Sequence, residues 1–419
     1  MDFDGFDFGI NEMELKKVRK FDRVFRIKGG GSIYSIPLVI DDIVYFGSAD
    51  KNVYAVSLKN GTELWRFPTN DGIILNSPAV LGDTIFIASS DFSIYALNKD
   101  TGQKVWEFRT GDKIAYCLPA VSEKGVYFGS KDGYVYSLEP ETGRLLWKFK
   151  TGDMVSSSPA YDNGKVYIGS ADSHLYCIDA DSGREIWRFK TGGEVHNVSP
   201  ILVYKDFVYF GSFDNFLYAV NAGTGREIWR FKTGKYGNTC SATVYSNILY
   251  YGCRDGILYA MTMEGKELWR FQAEGVFSAY PLVMETRIYT GCEDGNMYCL
   301  DKNGNELWRF KTEGMVCNRP ALWNNILIFD SWDCHLYAVD AESGKEVWRF
   351  ATSNLEGSDV PPPYEFWEAS VKISHEEGGE EQDKDDTYAT KNLDFSDDVY
   401  SMKSEYVHKS EYTTRSDYK

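Results

Sequence analysis

Short apolar runs rich in Val, Ile, Tyr and Trp follow one another along the middle of the chain, separated by clusters of Gly, Asp, Asn and Ser. In residues 158–189, SPAYDNGKVYIGSADSHLYCIDADSGREIWRF, a Pro-led start is followed by three such runs. This pattern predicts strands, four to each unit. In the last run Trp187 and Phe189 alternate with Ile186 and Arg188. Both faces of the strand therefore carry bulky side chains, and we expect both to be covered.

The unit occurs eight times, each copy ending in Trp-x-Phe, and its period indicates a closed repeat architecture. The tryptophans are Trp65, Trp106, Trp147, Trp187, Trp229, Trp269, Trp308 and Trp348, in steps of 39 to 42 residues. Periods of this length are typical of solenoids, arrays and propellers. In a ring of small sheets each blade is covered by its two neighbours. We therefore predict an all-β fold, an eight-bladed β-propeller of four-stranded blades, with these tryptophans as docking residues between blades.

Two more columns of the repeat are interpreted as structural. An Asp follows the second run in every unit: Asp50, Asp91, Asp132, Asp172, Asp214, Asp255, Asp294 and Asp333. A Tyr follows shortly after each: Tyr54, Tyr95, Tyr136, Tyr176, Tyr218, Tyr259, Tyr298 and Tyr337. Asp in a tight turn accepts hydrogen bonds from nearby amides, and a packed Tyr needs a partner for its hydroxyl. Eight acids at one level could also bind metal, but the turn role is favoured.

The repeat resembles a known family. The phrase Asp-Ala-x-x-Gly-x-x-x-Trp-x-Phe, seen as DADSGREIWRF ending at Phe189 and DAESGKEVWRF ending at Phe350, resembles the tryptophan-docking motif of pyrroloquinoline quinone (PQQ) repeat propellers. The resemblance covers residues 29 to 350. The Trp-Asp and Kelch repeats of other propellers fit less well, because a Trp-Asp pair occurs once, at Trp332, and Kelch repeats are longer.

The resemblance implies two kinds of function. Quinone-dependent dehydrogenases of this family stack PQQ on a Trp and often on a disulfide between adjacent cysteines, hold calcium with acidic and amide side chains, and use an Asp as base. This chain has no adjacent cysteines and lacks the long insertions that build that site. It is more similar to the non-catalytic branch typified by the assembly protein BamB, a bare ring that binds other proteins. We therefore expect no cofactor and no metal, with PQQ and calcium as the alternative.

The innermost strand, which is expected to precede the repeat Pro in most units, varies most between units, and it is expected to line the channel. The candidates for one channel mouth are Tyr34, Asn76, Tyr116, His196, Asn197, Asn238, Tyr280, Asn318 and Arg319. His196 could titrate near neutral pH, and Arg319 could hold a carboxylate or phosphate in a bidentate fork. A polar lining of a water-filled channel would explain the same residues. No nucleophile, base or metal ligand is paired with them by the sequence, so no catalytic residue is assigned.

Charge and cysteine content narrow the partners and the compartment. The net charge is -17, which opposes binding to nucleic acid. The first residues are acidic and form no secretory signal, and no apolar run is long enough to span a bilayer. Eight scattered cysteines show no zinc-type spacing and read as buried packing residues. The expectation is a cytoplasmic, monomeric ring, with an envelope module exported by an unrecognised route as another possibility.

The two ends of the chain differ from the ring, which we place at residues 21–350. Residues 1–20 form an N-terminal segment, and residues 21–28 resemble a ninth copy of the outer strand that could add to the last blade or replace its outer strand. Residues 351–419 contain 17 acids against seven Lys and Arg, and we predict a largely disordered tail. Tyr400, Tyr406, Tyr412 and Tyr418 recur there every six residues. They are either neutral drift or a multivalent binding motif.

The functional hypothesis is a non-catalytic scaffold that binds a protein partner through rim loops or the channel mouth, with the tail as a second contact. The alternative is a channel site for PQQ or another small ligand, as an oxidoreductase or a sensor.

Overall fold

The predicted blades are present as eight separate sheets. The computed structural model describes residues 32–33, 35–69, 76–114, 118–195, 201–235, 237–238, 240, 242–278 and 280–352. Within these residues the chain forms eight antiparallel sheets, each made of four strands that are consecutive in sequence. The prediction of an eight-bladed propeller with four-stranded blades is confirmed.

The first two strands of each blade contain part of the aliphatic core. The first strands are β1 (Leu38–Ile40), β5 (Ala79–Leu81), β9 (Ala120–Ser122), β13 (Ala160–Asp162), β17 (Leu202–Tyr204), β21 (Ala242–Tyr245), β25 (Leu282–Val283) and β29 (Ala321–Trp323). The second strands are β2 (Ile43–Gly47), β6 (Thr84–Ala88), β10 (Gly125–Gly129), β14 (Lys165–Ser170), β18 (Phe207–Gly211), β22 (Ile248–Gly252), β26 (Arg287–Cys292) and β30 (Ile326–Asp330).

The last two strands of each blade carry the Tyr and Trp columns. The third strands are β3 (Asn52–Ser57), β7 (Ser93–Asn98), β11 (Tyr134–Leu138), β15 (His174–Asp179), β19 (Phe216–Asn221), β23 (Ile257–Thr262), β27 (Asn296–Asp301) and β31 (His335–Asp340). The fourth strands are β4 (Glu63–Pro68), β8 (Lys104–Arg109), β12 (Leu145–Lys150), β16 (Glu185–Lys190), β20 (Glu227–Lys232), β24 (Glu267–Gln272), β28 (Glu306–Lys311) and β32 (Glu346–Ala351).

The first strands surround the axis of the ring. First strands of neighbouring blades contact one another, as in β5 with β9 and β13 with β17, and β1 contacts β29, so that the last blade meets the first. The fourth strands lie on the perimeter. This order places the segments before each first strand at a central channel.

The hydrophobic core lies between blades and is built by the Trp-x-Phe phrase. The Trp65 indole donates to the carbonyl oxygen of Lys99 in the next blade at 2.9 Å, and the corresponding bond recurs for all eight tryptophans at 2.7 to 3.3 Å. Phe67 packs edge-on against Tyr95 of the next blade, with ring centroids 5.4 Å apart. Each blade is thus joined to the following one by an indole bond and an aromatic pair.

The Asp and Tyr columns bond to each other. The Tyr95 hydroxyl donates to an Asp91 carboxylate oxygen at 2.6 Å, while the other oxygen accepts from the Ser93 amide at 3.0 Å. The Tyr-to-Asp bond is present in all eight blades. It measures 2.5 to 2.7 Å in seven of them and 3.3 Å in the sixth, where the Cys253 thiol also bonds to Asp255. These carboxylates are therefore committed to holding a turn to a strand.

The outer face of the fourth strand is not covered, contrary to expectation. Ile186 is 43% exposed, because its face extends beyond the preceding blade. Arg188 on the same face stacks over the Tyr176 ring at 5.4 Å and pairs with Glu185 at 2.8 Å. The arginine column thus covers the tyrosines and keeps its charge in water.

The ring closes by packing between the eighth and first blades. The Ser32 hydroxyl donates to the carbonyl oxygen of Trp332 at 2.9 Å, and the Trp323 indole donates to Asp42 at 2.9 Å. The outer strand of the eighth blade is β32, from the C-terminal side of the ring. The N-terminal copy at residues 21–28 lies outside the described residues, as do residues 1–20 and the tail from residue 353.

Candidate functional site

The described parts of the connections from a fourth strand to the next first strand lie on one face of the ring, and we call it the connection face. The connection from the third blade to the fourth is residues 151–159. Thr151 bonds through its hydroxyl to the carbonyl oxygen of Gly133, and the Val155 amide donates to Ser130 at 3.1 Å. The connection therefore crosses the preceding blade on its way to the channel.

Four of the predicted channel-mouth residues lie outside the described residues: Tyr34, Tyr116, His196 and Asn197. The remaining five are Asn76, Asn238, Tyr280, Asn318 and Arg319. Two of them belong to the frame, by which we mean the buried, hydrogen-bonded packing that joins the blades. The other three lie at one junction between blades.

Asn76 and Asn238 are fully buried. The Asn76 side-chain amide donates to the carbonyl oxygen of Ile114, in the connection that leads to the third blade, at 3.1 Å. The backbone amide of Asn238 donates to the carbonyl oxygen of Ser212, as the backbone amide of Val155 donates to that of Ser130, so the two residues occupy equivalent positions in their connections. The Asn238 side chain accepts a hydrogen bond from the Thr233 hydroxyl at 2.8 Å.

Tyr280, Asn318 and Arg319 lie at the junction of the seventh and eighth blades. The Arg319 guanidinium stacks over the Tyr280 ring, 5.5 Å from its centroid. The Asn318 side-chain amide donates to an Asp330 oxygen at 2.6 Å, and its own carbonyl oxygen is buried with no hydrogen-bond partner among the described residues.

Asp330 departs from the repeat, because it ends its second strand where six blades have Gly and one has Ala. At Gly129 and Gly169 a Cβ atom would clash with Val155 and Val195 of the following connection. The eighth blade instead places a carboxylate there, fully buried. The sequence analysis did not select Asp330, although the change from Gly-Ser-x-Asp to Asp-Ser-x-Asp marks it.

Glu293 is a second site residue that the sequence analysis missed. It accepts a short hydrogen bond from the Ser278 hydroxyl. Burial raises the pKa of the Glu293 carboxyl to about 7, although the bond from Ser278 and the charge of Arg254 act to lower it. This carboxyl group is therefore poised to change charge near neutral pH.

Glu293 and Arg254 belong to a column that varies between blades, the residue between Ser or Cys and the turn Asp. We call it the variable column. Its members are Ala49, Ser90, Lys131, Ala171, Phe213, Arg254, Glu293 and Trp332. From the fifth blade to the eighth the column consists of large aromatic or charged residues. Phe213, Arg254 and Glu293 are partly exposed, while Trp332 is buried. Comparison of the eight copies at this column is the signal that could have found the site.

Arg319 and Glu293 are deep in the molecule and still partly reachable by solvent. Burial disfavours the charged form of the Arg319 guanidinium and lowers its pKa to about 10. The group is still charged at neutral pH. Side chains on the wall of a narrow channel have this combination of depth and access. Burial also raises the pKa of the neighbouring Cys317 thiol, which makes that sulfur a poor nucleophile.

Comparison with protein families agrees with this geometry. Residues 77–301, more than half of the chain, match the family model described as "Beta-alanine-activating enzyme, beta-propeller". Residues 254–364 match the model described as "Outer membrane protein assembly factor BamB". The chain belongs to the first of these families, among the PQQ-repeat propellers. No curated protein sequence matches it.

Solved structures of the same fold include BamB, a designed protein and a dehydrogenase. BamB from Moraxella catarrhalis is 20% identical over 78% of this chain and 95% of its own, with a TM-score of 0.60. The computationally designed protein Ika8 is 17% identical over 77% of this chain and 98% of its own, with a TM-score of 0.63. A europium-containing methanol dehydrogenase is 15% identical over 76% of this chain and 85% of its own, with a TM-score of 0.60. At these identities the likeness concerns the fold of this PQQ-repeat propeller.

The PQQ-repeat fold raises the question of whether the residues suit PQQ with calcium. In the described part of the chain no three His, Cys, Asp or Glu side chains are grouped so that they could hold a metal ion. Asp330 bonds to Asn318, and the turn carboxylates bond to tyrosines. These carboxylates are therefore already hydrogen-bonded to side chains of the ring. No helix of the described residues is long and apolar enough to cross a membrane.

Proposed function

We propose that this PQQ-repeat propeller is a non-catalytic interaction scaffold that binds a protein partner through its connection face, with residues 351–419 as a second contact. One observation carries the proposal: the polar side chains repeated in every blade are bonded inside the frame. The turn acids hold tyrosines and the indoles hold carbonyls of the next blade. The residues that every repeat shares therefore have a structural role. A specific binding surface is expected at the positions where the eight repeats differ.

In the fifth to eighth blades the variable column, which lies on the connection face, consists of large aromatic or charged residues. Phe213 and Arg254 are partly exposed there. Aromatic and arginine side chains are the residue types that most often anchor protein interfaces. The exposed aliphatic residues of the perimeter, such as Leu64 and Ile228, are a less suitable anchor, since they are scattered and recur in every blade, so that they distinguish none of the blades.

The comparisons support a scaffold and also leave room for an enzyme. One matching family model is described as an assembly factor, while one solved structure of the same fold is a dehydrogenase. A cytoplasmic location and a monomeric ring remain part of the proposal.

Crosslinking in the source cells, followed by mass spectrometry, tests the scaffold directly. The full chain is expected to recover the same partner in repeated experiments, with crosslinks to the connection face. A chain that lacks residues 353–419 should recover less of it if the tail is the second contact. If no partner recurs, or if every crosslink maps to the opposite face, the scaffold proposal fails.

The alternative function is binding of PQQ, as a quinone-dependent oxidoreductase or a sensor. Titration of the purified full chain with PQQ and calcium separates the two. The scaffold predicts no saturable change in quinone absorbance and no calcium-dependent rise in melting temperature. A saturable response that requires calcium would favour the alternative.

A further inference from the structure

Lys302 has surroundings that neither the frame nor the scaffold explains. It lies in the turn between β27 and β28, on the face of the ring opposite the connection face. Its Nζ atom lies over the Tyr245 ring, 4.2 Å from the centroid, and over the Tyr250 ring, 4.9 Å from the centroid. Both tyrosines belong to the sixth blade, so the side chain reaches from the seventh blade to its neighbour. Nζ also donates a hydrogen bond to the carbonyl oxygen of Met284 at 3.0 Å.

The Lys302 amine has aromatic rings around it in place of a carboxylate. No Asp or Glu of the described residues pairs with Nζ, and the adjacent Asp301 accepts a bond from Asn305 at 2.9 Å. The titratable groups that face the amine are the hydroxyls of the two tyrosines. Burial, with no compensating charge, lowers the pKa of the Lys302 ammonium group to about 8. At neutral pH about one amine in ten is therefore neutral, against roughly one in two thousand for an ordinary lysine.

Lys99 occupies the same position of the second blade and has a different environment. The backbone carbonyl oxygens of Lys99 and Lys302 accept the indoles of Trp65 and Trp269, respectively. The Lys99 Nζ atom pairs with Asp83 at 2.8 Å, and this hydrogen bond raises the pKa of its ammonium group. One repeat position thus holds a paired lysine in the second blade and an unpaired, ring-bound lysine in the seventh.

Solvent reaches the Lys302 amine from one side. Lys302 and Tyr245 are partly exposed, whereas Tyr250 is fully buried. A small reagent can therefore approach Nζ, while the two rings limit its hydration. A neutral lysine amine that is partly desolvated is the form that acts as a nucleophile.

We propose that Lys302 is a site of covalent modification by small activated acyl groups, of the kind that acyl phosphates carry, because Nζ is held against Tyr245 and Tyr250 without a carboxylate partner. The neutral amine attacks the acyl carbon, so a C–N bond forms and the C–O bond to phosphate breaks. Phosphate leaves with the bonding electrons and takes up the proton that the amine loses. The product is a neutral amide whose remaining N–H can still donate to the Met284 carbonyl oxygen. This modification does not depend on the scaffold function.

Acetylation of the purified full chain by acetyl phosphate, followed by mass spectrometry of its peptides, tests the site. At about pH 7 the rate at Lys302 should exceed the rate at Lys99 about ten- to a hundredfold. Lys124, an exposed lysine paired with Asp181 at 2.9 Å, is the control for access and should also react more slowly than Lys302. The Lys302 rate should level off above about pH 9, whereas the rates of both controls should still rise at about pH 10.

Variants of Tyr245 separate the effect of the rings from that of exposure. Tyr245→Phe keeps the ring and should keep the fast rate. Tyr245→Ser admits water to Nζ, so the Lys302 rate at about pH 7 should fall although the amine becomes more exposed. Tyr204→Ser removes the equivalent tyrosine of the fifth blade and should leave Lys302 unchanged.

Three results would overturn the proposal. They are a rate at Lys302 no faster than at Lys124, a Lys302 rate that still rises at about pH 10, and a Tyr245→Ser chain as reactive at Lys302 as the unaltered one. The first two are measured on the unaltered chain, so the test does not rely on the folding of a variant.

Discussion

The Trp348 indole donates a hydrogen bond of 2.7 Å to the carbonyl oxygen of Leu58, and this bond joins the last blade to the first. Phe350 packs on Tyr54 of the first blade with ring centroids 5.4 Å apart, as Phe67 does on Tyr95. The closing interface therefore uses the same contacts as the internal ones. In the described residues it does so without a strand from the N-terminal side joining the eighth blade.

The closing interface should accordingly be as strong as an internal one. Trp348→Phe removes the indole donor and leaves the Leu58 carbonyl oxygen without it, at a cost of about 1–3 kcal/mol in the free energy of unfolding. Trp106→Phe removes the equivalent bond to Pro140 and is the matched control. Urea unfolding of both variants should give similar losses. A loss at Trp348 that is negligible, or several times that at Trp106, would show that closure relies on other contacts.

The glycine under each indole should be essential for blade contact. Gly102 has a φ of +68°, and a Cβ atom there would lie 2.6 Å from the Trp65 ring. Gly82 has a φ of +59° with nothing within 4 Å of such an atom. Gly82→Ala should cost about 1 kcal/mol of backbone strain. Gly102→Ala should cost about 1–3 kcal/mol more, because the indole must move. Equal urea midpoints for the two variants would contradict this packing.

Alkaline pH should weaken the ring through its buried tyrosines. Burial raises the pKa of Tyr45, Tyr127 and Tyr250 to about 12. The folded state holds these protons more tightly than the unfolded state, so the stabilisation is complete below about pH 10 and is lost as pH rises toward about 12. Unfolding monitored by tyrosine absorbance should show this decline, and Tyr127→Phe should reduce it. A stability that is constant between about pH 10 and about pH 12 would refute the assignment.

The charge of Glu293 should lower stability above neutral pH. Its pKa is raised to about 7 in the folded state, so its contribution is favourable at low pH and is lost as pH rises through about 7. Glu293→Gln should raise the free energy of unfolding relative to the unaltered chain at about pH 8, by up to about 3 kcal/mol, and change it little at about pH 5. Glu267→Gln on the perimeter is the control. If Glu293→Gln is destabilising at both pH values, the carboxylate is stabilised by groups that this account omits.

The frame could be predicted from sequence because the same residue types recur at the same positions of every repeat. A single Trp187 says little, but eight copies at a constant spacing specify a closed ring and the side on which each indole lies. The exposure of Ile186 was not predicted. The alternation of side chains along a strand shows that its two faces differ, but it does not show how much of each face a neighbouring blade covers.

The channel site was found only in part, for a related reason. Arg319 and Tyr280 stood out as polar and aromatic residues in a variable segment, and the structure stacks them. Asn238 occurs in a similar segment, but its backbone register turns it into the space between blades. Asp330 ends the second strand of its blade, and Glu293 lies in the turn that follows the second strand of its own blade. The sequence analysis considered only the regular Asp at this turn and not the residues beside it.

The central claim is that the columns form a frame and that the connection face of the fifth to eighth blades is where this protein binds its partner. A photo-crosslinkable amino acid placed at Phe213 on that face, and at Glu123 in the exposed turn between β9 and β10 on the opposite face, tests it most directly in the source cells. The account predicts a discrete crosslinked product from position 213 that Arg254→Ala diminishes, and none from position 123. A product from position 123 with none from position 213 would contradict it.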